Sequence, residues 1–254
     1  MSQALAIAVN TFKETVRDRI LAVIVLFALA MIVASLWLAT LSLGQGQRMM
    51  RDFGLLAVSL FGLLVAVFVA GNLVHKEVEK RTVFVLFSKP VGRSQFIWGK
   101  FLGLAATMFV VVAGMGLFLL LIIWLVAHVV LGSLLLATVL IFVQLAVVMA
   151  VTLFFSTFTS AILASVLGVC VFAAGQLSSN VLSLSRLGHD AALKALSWVV
   201  FLAVPNLTAI DVKGALAGEG SAHWGTIGAW VAYLVAYSVL CLAAAALVFR
   251  RKEF

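Results

Sequence analysis

The chain has 254 residues, of which 65% are hydrophobic and only 10% charged, with a mean hydropathy of +1.26. A soluble domain carries about 25% charged residues because it must keep a wetted exterior, so this composition excludes a water-soluble fold and makes lipid the solvent. The net charge of +8 does not bring in a nucleic-acid partner, because basic residues of membrane proteins collect at the cytoplasmic ends of their spans.

The apolar runs are continuous and exceed twenty residues, whereas a membrane barrel would show ten-residue segments of alternating polarity. The fold class is therefore all-α and polytopic. At the N-terminus, Leu5, Val9, Phe12, Val16 and Ile20 share one helical face, while Asn10, Lys13, Glu14, Arg17 and Asp18 fall mainly on others. Residues 3–19 are expected to form an amphipathic helix in the membrane interface, with Phe12, Lys13, Arg17 and Arg19 at the headgroup level. It is not a signal peptide, which needs a basic start and a short apolar core.

Six charge-free runs follow, over 20–43, 53–74, 101–127, 129–155, 161–182 and 224–249, each meeting the roughly 20 residues needed to cross a bilayer core. No Asp, Glu, Lys or Arg occurs between Phe101 and Ser185. One helix of that length would be about 130 Å long, roughly four bilayer cores, so it must fold back. The expected turns are Ala127-His128-Val129, with Gly132-Ser133 as a rival, and Ser156 to Ser160. The external segment 183–222 contains a short apolar stretch, 195–204, closed by Pro205-Asn206. It is too short to cross and reads as an external re-entrant or interfacial helix before the last span, with a seventh span as the alternative.

Charge sets the orientation. With the N-terminus inside, twelve basic residues lie on the cytoplasmic side and five outside, together the 17 of the chain. That bias satisfies the positive-inside rule and keeps the tail, 250–254, cytoplasmic with the N-terminus. The chain is thus expected to be a multi-pass membrane protein with both termini on the cytoplasmic side.

Chemistry-bearing motifs are absent. There is no G-x-x-x-x-G-K-[ST] phosphate loop; in Gly92 to Lys100 six residues separate the glycines instead of four. No metal-protease or nucleophile-elbow motif appears, and Cys170 and Cys241 lack metal-ligand spacing. Almost no ionisable group sits inside a span, where ion-coupled carriers keep one. If the chain moves a substrate, its energy comes from elsewhere.

The informative stretch is 76–100, between the second and third spans. Two apolar groups, Val83 to Phe87 and Phe96 to Trp98, flank a Ser-Lys-Pro-Val-Gly-Arg turn at 88–93. A short helix over 76–87 would seat an apolar side on the membrane and show its charges to a cytoplasmic partner; a merely solvated basic loop is the alternative. The pattern Glu77-x-Glu79-x-x-Thr82, then Ser88-x-Pro90-Val91-x-Arg93, then Gly99-Lys100, resembles the coupling loop of ABC-2-type permeases. The Arg17-Asp18-Arg19-Ile20 start and the closing Phe249 to Phe254 are similar to that family's termini. Arg81 stands where many members carry Gly. Pro205-Asn206-Leu207 and the chain length also resemble a narrower branch, the permeases that help mature nitrous oxide reductase.

The resemblance implies a non-catalytic membrane subunit that binds no cofactor itself, with ATP and magnesium on a partner. That partner would be a cognate ABC ATPase in two copies, under a homodimer or a pair with a sister permease. Glu77, Glu79, Lys80, Arg81, Thr82, Ser88, Pro90, Arg93 and Lys100 would form the ATPase-coupling interface. Two alternatives stay open: an anchor that transmits force to a periplasmic partner, and a stand-alone channel or carrier.

Overall fold

The computed structural model describes residues 3–40, 46–79, 93–128, 132–187, 204–207 and 224–251. All regular structure among them is helical: α1 (Gln3–Val16), α2 (Arg19–Thr40), α3 (Gly46–Glu79), α4 (Arg93–Ala127), α5 (Gly132–Ser156), α6 (Ala161–Leu187) and α7 (Trp224–Arg251). The six from α2 to α7 are long and apolar enough to cross a membrane. The chain is a polytopic all-α membrane protein.

The breaks have local causes. Between α1 and α2 the Asp18 carboxylate accepts the Ile20 N–H at 3.0 Å, so Asp18 caps α2. After α4, His128 takes a positive φ of 53°, a left-handed residue that stops a helix, and the chain is helical again from Gly132. The two turns weighed at His128 and Gly132 are thus the two ends of one connection. Between α5 and α6, Ser160 Oγ accepts the Leu163 N–H at 3.4 Å, an N-cap for α6.

Two helices run past their charge-free cores. α3 starts seven residues before Phe53, taking in Arg48, Arg51 and Asp52, and continues to Glu79. α4 starts at Arg93, eight residues before Phe101. At 1.5 Å per residue, α4 is about 52 Å long against a hydrocarbon core of about 30 Å, so it projects well beyond the bilayer.

α5 is the axis of the bundle, packed by α3, α4, α6 and α7, while α2 and α7 leave most of their apolar surface uncovered by protein. Hydroxyls within the spans satisfy themselves on the preceding turn: Thr107 bonds Gly103 O (3.1 Å), Thr138 bonds Leu134 O (2.9 Å), and Thr152 bonds Val148 O (2.8 Å). A bilayer offers no water to do this. Ser165 of α6 also donates across to Val67 O of α3 at 3.0 Å, and Gly71 and Gly168 leave room for that approach.

The described part of the external segment, residues 204–207, lies inside the bundle. Leu207 is fully buried; its N–H donates to Gly175 O at 3.3 Å, and its carbonyl accepts Gln144 Nε2 at 2.8 Å. Ser178 Oγ donates to Asn206 Oδ1 at 3.1 Å. Gln144 sits midway along α5, about 18 Å from Gly132, so the chain re-enters to the depth of the helix centre. A Cβ on Gly175 would lie 2.8 Å from both Pro205 O and Leu207 Cδ1, so this contact needs glycine. In Gln144→Leu the Leu207 carbonyl loses its donor in an apolar site, at a cost of about 1–3 kcal/mol. A lower melting temperature with faster thiol labelling at a cysteine placed at position 206 is the expected result.

Candidate coupling site

The segment expected to meet the ATPase leaves from α3 and returns into α4. Glu77 and Glu79 occupy the last helical turn of α3, and Arg93 is the first residue of α4. Lys80, Arg81, Thr82, Ser88 and Pro90, and with them most of the helix expected over 76–87, lie outside the described residues. The structure therefore speaks to the two roots of the segment.

Both roots enter one apolar knot, separate from the main core. Leu73 of α3 and Phe96 and Ile97 of α4 pack with Ala150 and Leu153 of α5 and with Leu242, Ala245 and Phe249 of α7. The Phe96 and Phe249 rings stack, with centroids 5.8 Å apart and planes inclined at 16°. Phe249 directly precedes the basic Arg250-Arg251 pair, so the closing turn of the last span is tied to the α4 root.

Lys100 stands deeper than an exposed contact residue would. It is only 2% exposed, its Nζ lies 3.9 Å from Glu14 Oε2 of α1, and it sits 5.8 Å from the centroid of the Phe96 ring. Burying an ammonium is costly unless an opposite charge compensates it. The half-exposed Glu14 carboxylate supplies that charge, and the ring face adds a weaker cation–π attraction. The sequence pattern groups Lys100 with the ATPase contacts, whereas its geometry is that of an internal link between α1 and α4.

α1 is seated on α4 rather than lying free. A Cβ on Gly99 would fall 2.8 Å from Ala4 O and 2.9 Å from Ile7 Cβ; one on Gly103 would meet Ala8 O and lie 2.7 Å from Thr11 Cβ. Glycines four residues apart on α4 thus receive Ala4, Ile7, Ala8 and Thr11 of α1, three of them small. This is the small-xxx-small seam that lets membrane helices approach backbone to backbone. Sequence reading missed this second face of α1, although Gly99-x-x-x-Gly103 and the alanine–threonine spacing signal it. On the remaining surface Phe12 is half-buried, and Lys13, Arg17 and Arg19 are exposed. Of the in-span glycines, Gly62 packs on Leu145 and Gly116 on Thr138, both within the chain, while Gly114 meets nothing within 4 Å.

The family model described as ABC-2 family transporter protein matches residues 5–254. The chain belongs to the ABC-2 transporter family. It is an ABC transporter permease, and members of this family are generally non-catalytic membrane subunits that partner with an ABC ATPase. A search of curated proteins finds no match. The match spans the permease from α1, through both roots of the coupling segment, to the C-terminal residues.

Proposed function

We propose that this ABC-2 permease exports a substrate across the cytoplasmic membrane, driven by ATP hydrolysis on a separate ATPase bound at residues 76–100. The observation that carries the reading is the apolar knot. Force applied to the segment reaches Leu73 on one side and Phe96 and Ile97 on the other, and so engages α3, α4, α5 and α7 together. Packed cores transmit such displacements because they are dense and resist compression. Two ATPase copies, holding ATP and magnesium, serve two permease chains, and both chain termini are cytoplasmic by the twelve-to-five distribution of basic residues.

The external segment supports export over a purely mechanical role. An anchor for a periplasmic protein would present this segment outward, whereas Pro205, Asn206 and Leu207 are buried against α5 and α6. An element at mid-span is suited to gate a pathway between the helices.

Co-expression with the cognate ATPase tests the reading. The expected result is a stable complex with one ATPase per permease, hydrolysing ATP that the permease alone leaves intact. A cysteine at position 76 should label only from the cytoplasmic side. ATP hydrolysis by the permease alone, or labelling of that cysteine from outside, would overturn the proposal.

A further inference from the structure

We infer that α1 is a second input to the coupling segment: its outer side binds anionic lipid headgroups through Lys13 and Arg17, and its inner side is keyed into the α4 root of the segment. The inference rests on the orientation and coupling proposed above.

α1 has three faces at 100° per residue. Ala4, Ile7, Ala8 and Thr11 form the one seated on α4. Leu5, Val9 and Val16 form a second; all three are exposed, and no described part of the chain covers them. Ile20, Val23, Leu26 and Phe27 of α2, a helix long and apolar enough to cross a membrane, are exposed as well. An exposed apolar stripe flanked by basic residues, on a helix beside the end of a span, belongs at the boundary of headgroups and acyl chains. Lys13 and Arg17, one turn apart and both exposed, lie next to it on the third face. Exposed Arg19 adds a charge at the start of α2. The nearby carboxylates are otherwise engaged: Glu14 with Lys100, and Asp18 with the α2 N-terminus. The outward charge is positive, and the complementary surface at this depth is an anionic leaflet.

The inner side bears on the α4 root. It meets α4 at Gly99, Gly103 and Lys100. Toward α3, Glu14, Thr15 and Asp18 form one wall of a small cleft whose other wall is Phe68, Val69, Asn72 and Leu73. Leu73 and Phe96 are the residues that anchor the coupling segment in the knot. A change in how tightly headgroups hold α1 therefore acts on the α4 end of the segment and, through Phe96 in the knot, on Leu73.

Two measurements on the permease–ATPase complex in nanodiscs test this. With both native cysteines replaced, a fluorophore at an Asn10→Cys site reports headgroup contact through quenching by head-labelled phosphatidylglycerol. Lys13→Gln with Arg17→Gln should weaken that quenching roughly tenfold. The second measurement is the ratio of ATPase rates in discs with about 30% phosphatidylglycerol and in neutral phosphatidylcholine discs. The expected ratio departs from one by about threefold or more and returns to one in the double variant. Lys100→Met should keep the quenching and lose the rate ratio. Equal quenching in wild type and double variant, or protection of position 10 by the ATPase instead of by lipid, overturns the inference. So does a rate ratio that survives in the double variant. A complex that fails to assemble refutes the coupling reading, and the quenching measurement on the permease alone still decides whether α1 binds headgroups.

Discussion

Reversing charge at Glu77 and Glu79 together is expected to uncouple the partner's ATP hydrolysis from transport while leaving insertion and folding of the permease intact. Both residues occupy the final turn of α3, beyond the buried Leu73 and at the start of the segment proposed to meet the ATPase. An exposed ion pair contributes about 1 kcal/mol at most, so a single neutral substitution should change little. Lysine at both positions replaces two attractions by two repulsions, and a permease dimer doubles this again. Summed with a discount for screening, the change exceeds 1.4 kcal/mol, a tenfold loss of productive engagement. The quantity to measure is substrate moved per ATP hydrolysed, or the stimulation of the ATPase by the permease, in proteoliposomes. It should fall at least tenfold in the double lysine variant and recover with lysines at these positions and reversed charge on the ATPase groove. A double variant with wild-type coupling would remove these residues from the interface.

Much of the architecture is legible from composition alone, because lipid imposes it. Runs without charge longer than twenty residues have one outcome in a bilayer, and the six spans follow. Hydropathy does not report where a helix stops once it leaves the membrane. α3 continues to Glu79 and α4 begins at Arg93 because helix hydrogen bonds do not end where polarity begins. The proposed coupling site is legible in the sequence only as a pattern. The acidic–basic pattern at 77–82 marks the segment, but Lys100 reads as one more basic loop residue until its distance to Glu14 is known. That pairing joins residues 86 positions apart, which no periodicity along the chain can show. The same holds for Gln144 and Leu207, whose hydrogen bond needs the chain to fold back to the centre of α5. α1 was read as having one apolar face because alanine and threonine score as weakly hydrophobic. Their role on the other face is their small size, which matters only opposite Gly99 and Gly103.

That role of size gives a paired experiment within one helix. Gly103→Ala and Gly114→Ala add the same methyl group to α4, and they should shift stability in opposite directions. In a helix interior the exchange gains about 0.8–1 kcal/mol from backbone entropy. At Gly114 nothing lies within 4 Å, so the gain should appear as a small rise in melting temperature. At Gly103 the new Cβ meets the carbonyl oxygen of Ala8 and lies 2.7 Å from Thr11 Cβ. Neither obstacle can turn aside, since one is backbone and the other is fixed to it. Trimming Ala8 to glycine would leave the oxygen in place, so no rescue is expected from that change. α1 must lift from α4, at about 1–3 kcal/mol for overpacking, which outweighs the propensity gain at the upper end. Lifting also separates Glu14 from Lys100 and leaves a buried ammonium with a weaker partner, which pushes the balance further toward loss. The expected signature is a lower melting temperature, thiol labelling of a cysteine at buried position 8, and reduced ATPase coupling without loss of the complex. If Gly103→Ala labels no faster than its parent while Gly114→Ala is the damaging change, α1 does not sit in this seam and the tight contact of α4 lies three turns further along the same face, against a second chain.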